Sequence, residues 1–148
     1  MRILEIESLF QQEDTLNEVL TKCEEDFKIV DYWSEVRKQN LTDNPEEILR
    51  ALNELSGCYS NLRTILGIAE TEKKNREVKF KENLRIESGK SDEKYVDAKA
   101  STQATAHVTK YRRIRNYIQA YVESCDKHIC TLQSILKSLD KEHNNPQG

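Results

Sequence analysis

Apolar residues recur at every third or fourth position through most of this chain. From Ile48 they step through Leu52, Leu55, Tyr59, Leu62, Leu66 and Ala69, alternating intervals of four and three. That is a heptad seam, the mark of a helix that packs along its length. Chemistry punctuates its start. Asn44 can accept from the first free amides, Pro45 suits the first helical position, and Glu46 and Glu47 suit the positive end of the helix dipole. A second seam runs Tyr111, Ile114, Ile118, Tyr121, Cys125, His128, Leu132, Ile135 and Leu139. A third links Leu16, Leu20, Cys23, Phe27 and Val30, and Trp33 and Val36 continue it. Asp14 or Thr15 is the candidate N-cap for that helix. Ile3, Ile6, Leu9 and Phe10 suggest a shorter helix before it. The expected class is all-α.

The two longer seams pair antiparallel. Matching 69 with 111, 66 with 114, 62 with 118, 59 with 121, 55 with 125 and 48 with 132 gives pairs that all sum to 180, so the chain doubles back at residue 90. Ser88-Gly89-Lys90-Ser91-Asp92 stands there, with Gly89 as a helix terminator and Ser91 or Asp92 as the next start. Seam spacing of about 3.5 residues favours shallow, left-handed crossing. The expectation is a single domain over 1–148. An N-terminal helical region (1–40) packs on a long antiparallel coiled-coil-like helical hairpin (44–88 and 92–140). "RKQNLTDN" is a loop, and 141–148 a disordered tail. Val78, Phe80, Leu84 and Ile86 alternate as strand residues do, but the facing stretch "AKASTQATAH" has little strand character, so helix is expected at the tip as well. Leu49, Ile65, Ile68, Val122, Ile129 and Leu136 flank the seams and need cover, which predicts a homo-oligomer.

Composition sharpens this picture. Charged residues make up 33% of the chain and apolar ones 36%, with only four Gly and two Pro, so elements should be few and long. The N-terminus lacks the apolar run of a signal peptide, and no window reaches the roughly 18 apolar residues of a membrane span. A cytoplasmic protein with no membrane contact is expected. The cysteines Cys23, Cys58, Cys125 and Cys130 form no CxxC pair. Cys125 and Cys130 would point about 140° apart on a helix, so reduced thiols are expected, with no metal and no cofactor.

Charge is distributed unevenly. The stretch "KKNREVKFKENLRIESGKSDEK" opens a segment, Lys73 to Arg115, with 13 basic and 6 acidic residues, although the whole chain carries −3. A hairpin would gather these cations at one end. The candidate nucleic-acid-binding residues are Lys73, Lys74, Arg76, Lys79, Lys81, Arg85, Lys90, Lys110, Arg112, Arg113 and Arg115. They would neutralise phosphates, while Phe80, Tyr95 and Tyr111 stack bases of a single strand. A solvated helix face held by pairs such as Glu77–Lys81, or a site for an acidic protein, explains the same charges. There is no GxGxxG, GxxxxGK[ST] or HExxH and no nucleophile constellation, so an enzyme is not expected and no catalytic residue is assigned. His128 reads as a packing residue of the seam, and Tyr59 and Tyr121 as one layer of it.

The order of segments resembles the UvsY family of tailed-phage recombination mediators. The likeness rests on an early helix ending in "FKIVDYWSEVRK", a basic-ended helix "LRTILGIAETEKKNREVKF", a break "ESGKSDEKYVDAKAS" and a closing helix "KYRRIRNYIQAYVESCDKHICTLQSILKSL". It covers most of the chain and has no sharp motif. The resemblance implies a small oligomeric helical protein that binds single-stranded DNA and helps load a recombinase where single-strand-binding protein sits. The alternative is a non-enzymatic structural or adaptor protein that binds only protein, in phage assembly or against a host factor.

Overall fold

The computed structural model describes residues 3–38, 44–91 and 93–144. Every element in them is helical: α1 (Ile3–Leu9), a 3-10 turn (Glu13–Thr15), α2 (Leu16–Lys38), α3 (Pro45–Lys90), α4 (Asp97–His107) and α5 (Thr109–Asn144). The all-α expectation holds, with no strand among the described residues. No described helix is long and apolar enough to cross a membrane. The alternating stretch around Phe80 is helix: Leu84 is half-buried, and Val78 and Ile86 lie outward, 48% and 57% exposed.

Helix α3 begins as its sequence predicts. The Glu47 amide donates to the Asn44 side-chain oxygen at 3.3 Å and the Ile48 amide to the Asn44 carbonyl at 3.1 Å. Its end differs. Gly89 lies inside the helix instead of terminating it, and the stop comes where the Ser91 amide and hydroxyl both donate to the Glu87 carbonyl, at 3.1 and 3.2 Å. The return starts at Asp97, not at Ser91 or Asp92; Val96 holds the N-cap position in extended conformation with no side-chain cap, and Asp92 lies outside the described residues. It is also two helices where one is expected. The break at Val108 is sealed by Thr109, whose hydroxyl donates to the Ala106 carbonyl at 2.7 Å, and by Arg112, whose guanidinium donates to the Thr105 carbonyl. Residues 141–144 continue α5 where a disordered tail is expected; 145–148 lie outside the described residues. Arg37 and Lys38 belong to α2, and the rest of the expected loop up to Asp43 lies outside the description. Thr15 sits at the start of α2, yet its hydroxyl donates backwards to the Leu9 carbonyl at 2.6 Å, tying the 3-10 turn to α1.

The chain divides into two compact units, one of Thr21–Thr64 with Ile118–Gly148 and one of Arg2–Leu20 with Ile65–Tyr117. The first is built from α2, α3 and α5 around Val30, Trp33, Ile48, Ala51, Leu55, Cys58, Cys125 and Leu132. Six of these eight are seam residues, whose three-four spacing keeps them on one side of each helix; Ala51 and Cys58 lie off the α3 seam, and the seam positions Leu52 and Tyr59 are only half-buried. Trp33 is fully buried; its indole N–H donates to a Glu54 carboxylate oxygen at 2.6 Å, which satisfies its one polar group. Tyr121 stacks on Phe27 at 4.0 Å and donates its hydroxyl to Asp31, so its ring partner comes from α2 and not from Tyr59. Val122 is buried within this unit.

In the second unit Ile6, Phe10, Leu16, Val19, Ile65, Leu66, Ala69, Ala100, Ala104, Val108, Tyr111 and Ile114 are buried. The inward face of α4 is small: its buried residues, Ala100 and Ala104, stand four apart. Ile65 is covered here and needs no second copy.

Candidate nucleic-acid interface

All eleven predicted cations fall in the second unit, and the structure sorts them into two groups. The first group is committed to the fold. The Arg76 guanidinium donates to the carbonyls of Phe10 and Gln11, at 2.9 and 2.7 Å, and lies 4.5 Å from the Tyr111 ring centre. It closes the carbonyl end of α1, where backbone acceptors otherwise lack partners. Lys73 pairs with Glu77 at 3.4 Å, Lys81 with Asp97 at 3.1 Å and Lys110 with Glu13 at 3.5 Å. Arg112 seals the α4–α5 break. Arg115 is half-buried.

The second group stands clear. Lys74, Lys79 and Lys90 on α3 are exposed and make no ion pair among the described residues. Arg85 is exposed over the Tyr95 ring at 5.1 Å, and Arg113 over the half-exposed Tyr117 ring at 5.7 Å. A cation on a ring face keeps outward N–H groups for phosphate. Two lysines not among the eleven belong with this group: Lys94, just before α4, and Lys99 on its first turn, both exposed.

The aromatic expectations divide likewise. Tyr111 is only 4% exposed and offers no face to a base. Phe80 stacks on His107 at 4.5 Å and 20° between planes, so each ring already has a partner. Tyr95 is half-buried and donates its hydroxyl to Asp97 at 3.1 Å. The Lys81 and Tyr95 bonds hold the Asp97 carboxyl below the usual carboxylate range. Tyr117, 48% exposed beside Arg113, is an open ring that the heptad pattern missed because it lies off the seam.

Acidic residues share this unit. By sequence it holds 14 Lys and Arg against 13 Asp and Glu, because Glu5, Glu7, Glu13, Asp14, Glu18, Glu70 and Glu72 belong to it. Glu13, Asp14, Lys110 and Arg113 line one pocket of about 150 Å³ together with Leu16, Asn17 and Ile114. The exposed cations are spread along α3 and up to the start of α4: Lys74 and Lys79, five apart, point about 140° from one another on a helix, whereas Lys79 and Lys90, eleven apart, come within about 20°.

Burial pushes the thiols of Cys23 and Cys58 up to about 12 and that of Cys125 to about 11, with Asp26 adding to each. Among the described residues no three His, Cys, Asp or Glu side chains come together as a metal site. His128 is held at both ring nitrogens, by Arg37 at 2.6 Å on Nδ1 and Ser34 at 2.9 Å on Nε2. Arg can only donate, so Nδ1 accepts and the proton sits on Nε2. Burial, then the Arg37 charge, holds this imidazole below its ordinary pKa.

No protein-family model, curated protein or solved structure matches the chain.

Proposed function

We propose that this protein is a non-catalytic accessory factor of DNA recombination. It binds single-stranded DNA along the exposed cations of α3 and α4 and helps load a recombinase onto it. The observation that supports the reading is the set of exposed cations Lys74, Lys79, Lys90, Lys94 and Lys99, without ion pairs among the described residues, beside Arg85 and Arg113 on aromatic rings. Cations that pair with no carboxylate among the described residues are available to phosphates, and the gain comes from counterion release. In this reading the two long seams form the antiparallel coiled-coil-like hairpin. Copies associate through apolar residues left outside the core, such as Leu49 at 54% exposure, and act in the cytoplasm beside single-strand-binding protein. The recombinase role rests on the segment order that resembles the UvsY family.

The test is fluorescence anisotropy with a labelled single-stranded oligonucleotide. Wild type should bind at low salt. Lys74→Glu, Lys79→Glu and Lys90→Glu together should weaken binding at least ten-fold with helicity unchanged, since all three lysines are exposed and make no ion pair among the described residues. Absence of wild-type binding at low salt leaves the second reading, a protein-only adaptor. The near balance of acidic and basic residues in the second unit favours that alternative, as do exposed Val78 and Ile86 on its long helix.

A further inference from the structure

Little apolar surface holds α4 to the fold. Of its 11 residues only Ala100 and Ala104 are buried, and Val96 at its N-cap makes no side-chain bond. A helix of that length is marginal by itself, and few buried apolar contacts mark a segment that opens before the rest. Its neighbour is α3. Leu84 and Ser88 of α3 border a groove of about 150 Å³ with Ala100 and Gln103 of α4, and Phe80 stacks on His107 at 4.5 Å.

A cluster of polar contacts joins the start of α4 to α3. The Lys81 ammonium lies 3.1 Å from the Asp97 carboxylate, which also accepts from the Tyr95 hydroxyl at 3.1 Å. The Arg85 guanidinium lies 5.1 Å from the Tyr95 ring centre. Lys81 and Arg85 stand one helical turn apart and share a side of α3. At the other end of α4, Val108 is buried with φ −99° and ψ 21°, outside the helical range. The helix therefore joins α5 through a bend whose pivot is fixed in the core.

We propose that α4 is a lid. It swings away from α3 as a unit while α3 and α5 stay folded, turning at Val108, and Lys81 and Arg85 latch it shut through Asp97 and Tyr95. Two members of the latch belong to α3 and two to the start of the lid, so opening separates both pairs together. Closed, the lid holds Lys81 in its ion pair and covers one side of the half-buried Phe80 and Leu84. Open, it releases that cation and bares both side chains, so the lid sets what this end of the unit offers a partner. The inference concerns the free protein and stands whether or not the chain binds DNA.

Native-state hydrogen exchange resolved to single amides tests it. After correction for sequence, amides 100–107 should exchange at least about ten-fold faster than amides 76–84 of α3 and 114–122 of α5, and low denaturant should barely change their rates, as a small local opening requires. Lys81→Gln leaves the sequence of the lid intact and should speed exchange in α4 roughly two- to five-fold, the scale of one exposed ion pair. Asp97→Asn should do at least as much, and the double variant no more than Asp97→Asn alone, because both remove the same contact. Added salt should speed α4 in wild type and not in the double variant. Unchanged protection of α3 and α5 in the same samples reports that each variant is folded. Exchange of α4 in step with α3 and α5 overturns the lid. Faster exchange that both substitutions leave unchanged, or raise additively, overturns the latch.

Discussion

Two kinds of titratable side chain in the first unit, buried thiols and a half-buried imidazole, behave oppositely toward reagents and protons. Cys23, Cys58 and Cys125 are buried with pKa pushed to 11–12, whereas Cys130 is exposed. The thiolate is the reactive form, so a thiol reagent at pH 7.5 should modify one cysteine rapidly in the native protein and all four in denaturant. Rapid native modification of three or four would mean that this core opens readily. His128 makes a prediction of definite sign. Its folded pKa is depressed, so the folded state binds fewer protons than the unfolded state just below the ordinary imidazole value of about 6.5. The contribution is complete above that pH and is lost as pH falls through the folded pKa. Urea midpoints should drop between pH 7 and pH 5.5, and His128→Gln should flatten that drop, since glutamine can still accept from Arg37 and donate to Ser34 without taking a proton. An unchanged pH dependence in the variant would remove His128 as its source. Neither the Arg37 nor the Ser34 contact was legible from sequence, where His128 counted only as a seam position. The heptad specifies which way a side chain points and not what meets it there.

Among the elements, α3 was read most completely, because its signals are local. The Asn44 cap needs only four consecutive residues, and all seven seam positions from Ile48 to Ala69 are buried or half-buried. Its glycines are a different matter. Gly67 is exposed within α3, and a Cβ there would meet nothing within 4 Å. Glycine costs about 1 kcal/mol against alanine in a helix interior, so Gly67→Ala should stabilise by roughly 0.5–1 kcal/mol in urea denaturation. Asn44→Ala should destabilise by about 1 kcal/mol through loss of the cap. If both leave the midpoint unmoved, α3 contributes little to the cooperative transition. The α4–α5 break was not legible, since neither glycine nor proline marks Val108. It depends on Thr109 and Arg112 satisfying two carbonyls that a straight helix would bond internally, and residues of those types occur throughout ordinary helices. Gly89 shows the reverse error: a residue that often ends helices, placed where the backbone continues.

At the scale of the whole molecule, the charge map changed most between sequence and structure. The sequence places 13 cations between Lys73 and Arg115 but cannot show that Glu13 meets Lys110 or that Arg76 caps α1, because these partners are about a hundred and 66 residues away. Long-range pairing is set by tertiary packing, to which a linear charge count is blind. The consequence is measurable. Each phosphate neutralised on a single strand contributes about 0.7 to the slope of log affinity against log salt. If all thirteen cations met phosphates, the slope would approach about −9 per chain. With only the five exposed lysines that make no ion pair among the described residues, it should lie near −3 to −4, rising toward about −5 if Arg85 and Arg113 also reach phosphate. A salt titration therefore distinguishes a surface used as it stands from one that must first release Lys73, Lys81 and Lys110 from their carboxylates. A slope near −9 would require those pairs to break on binding. In that case Lys81→Gln, which removes one phosphate contact, should weaken binding most at low salt and lower the slope by about 0.7. Under the shallower slope the same substitution should leave affinity untouched at every salt concentration, because Lys81 then never meets the strand.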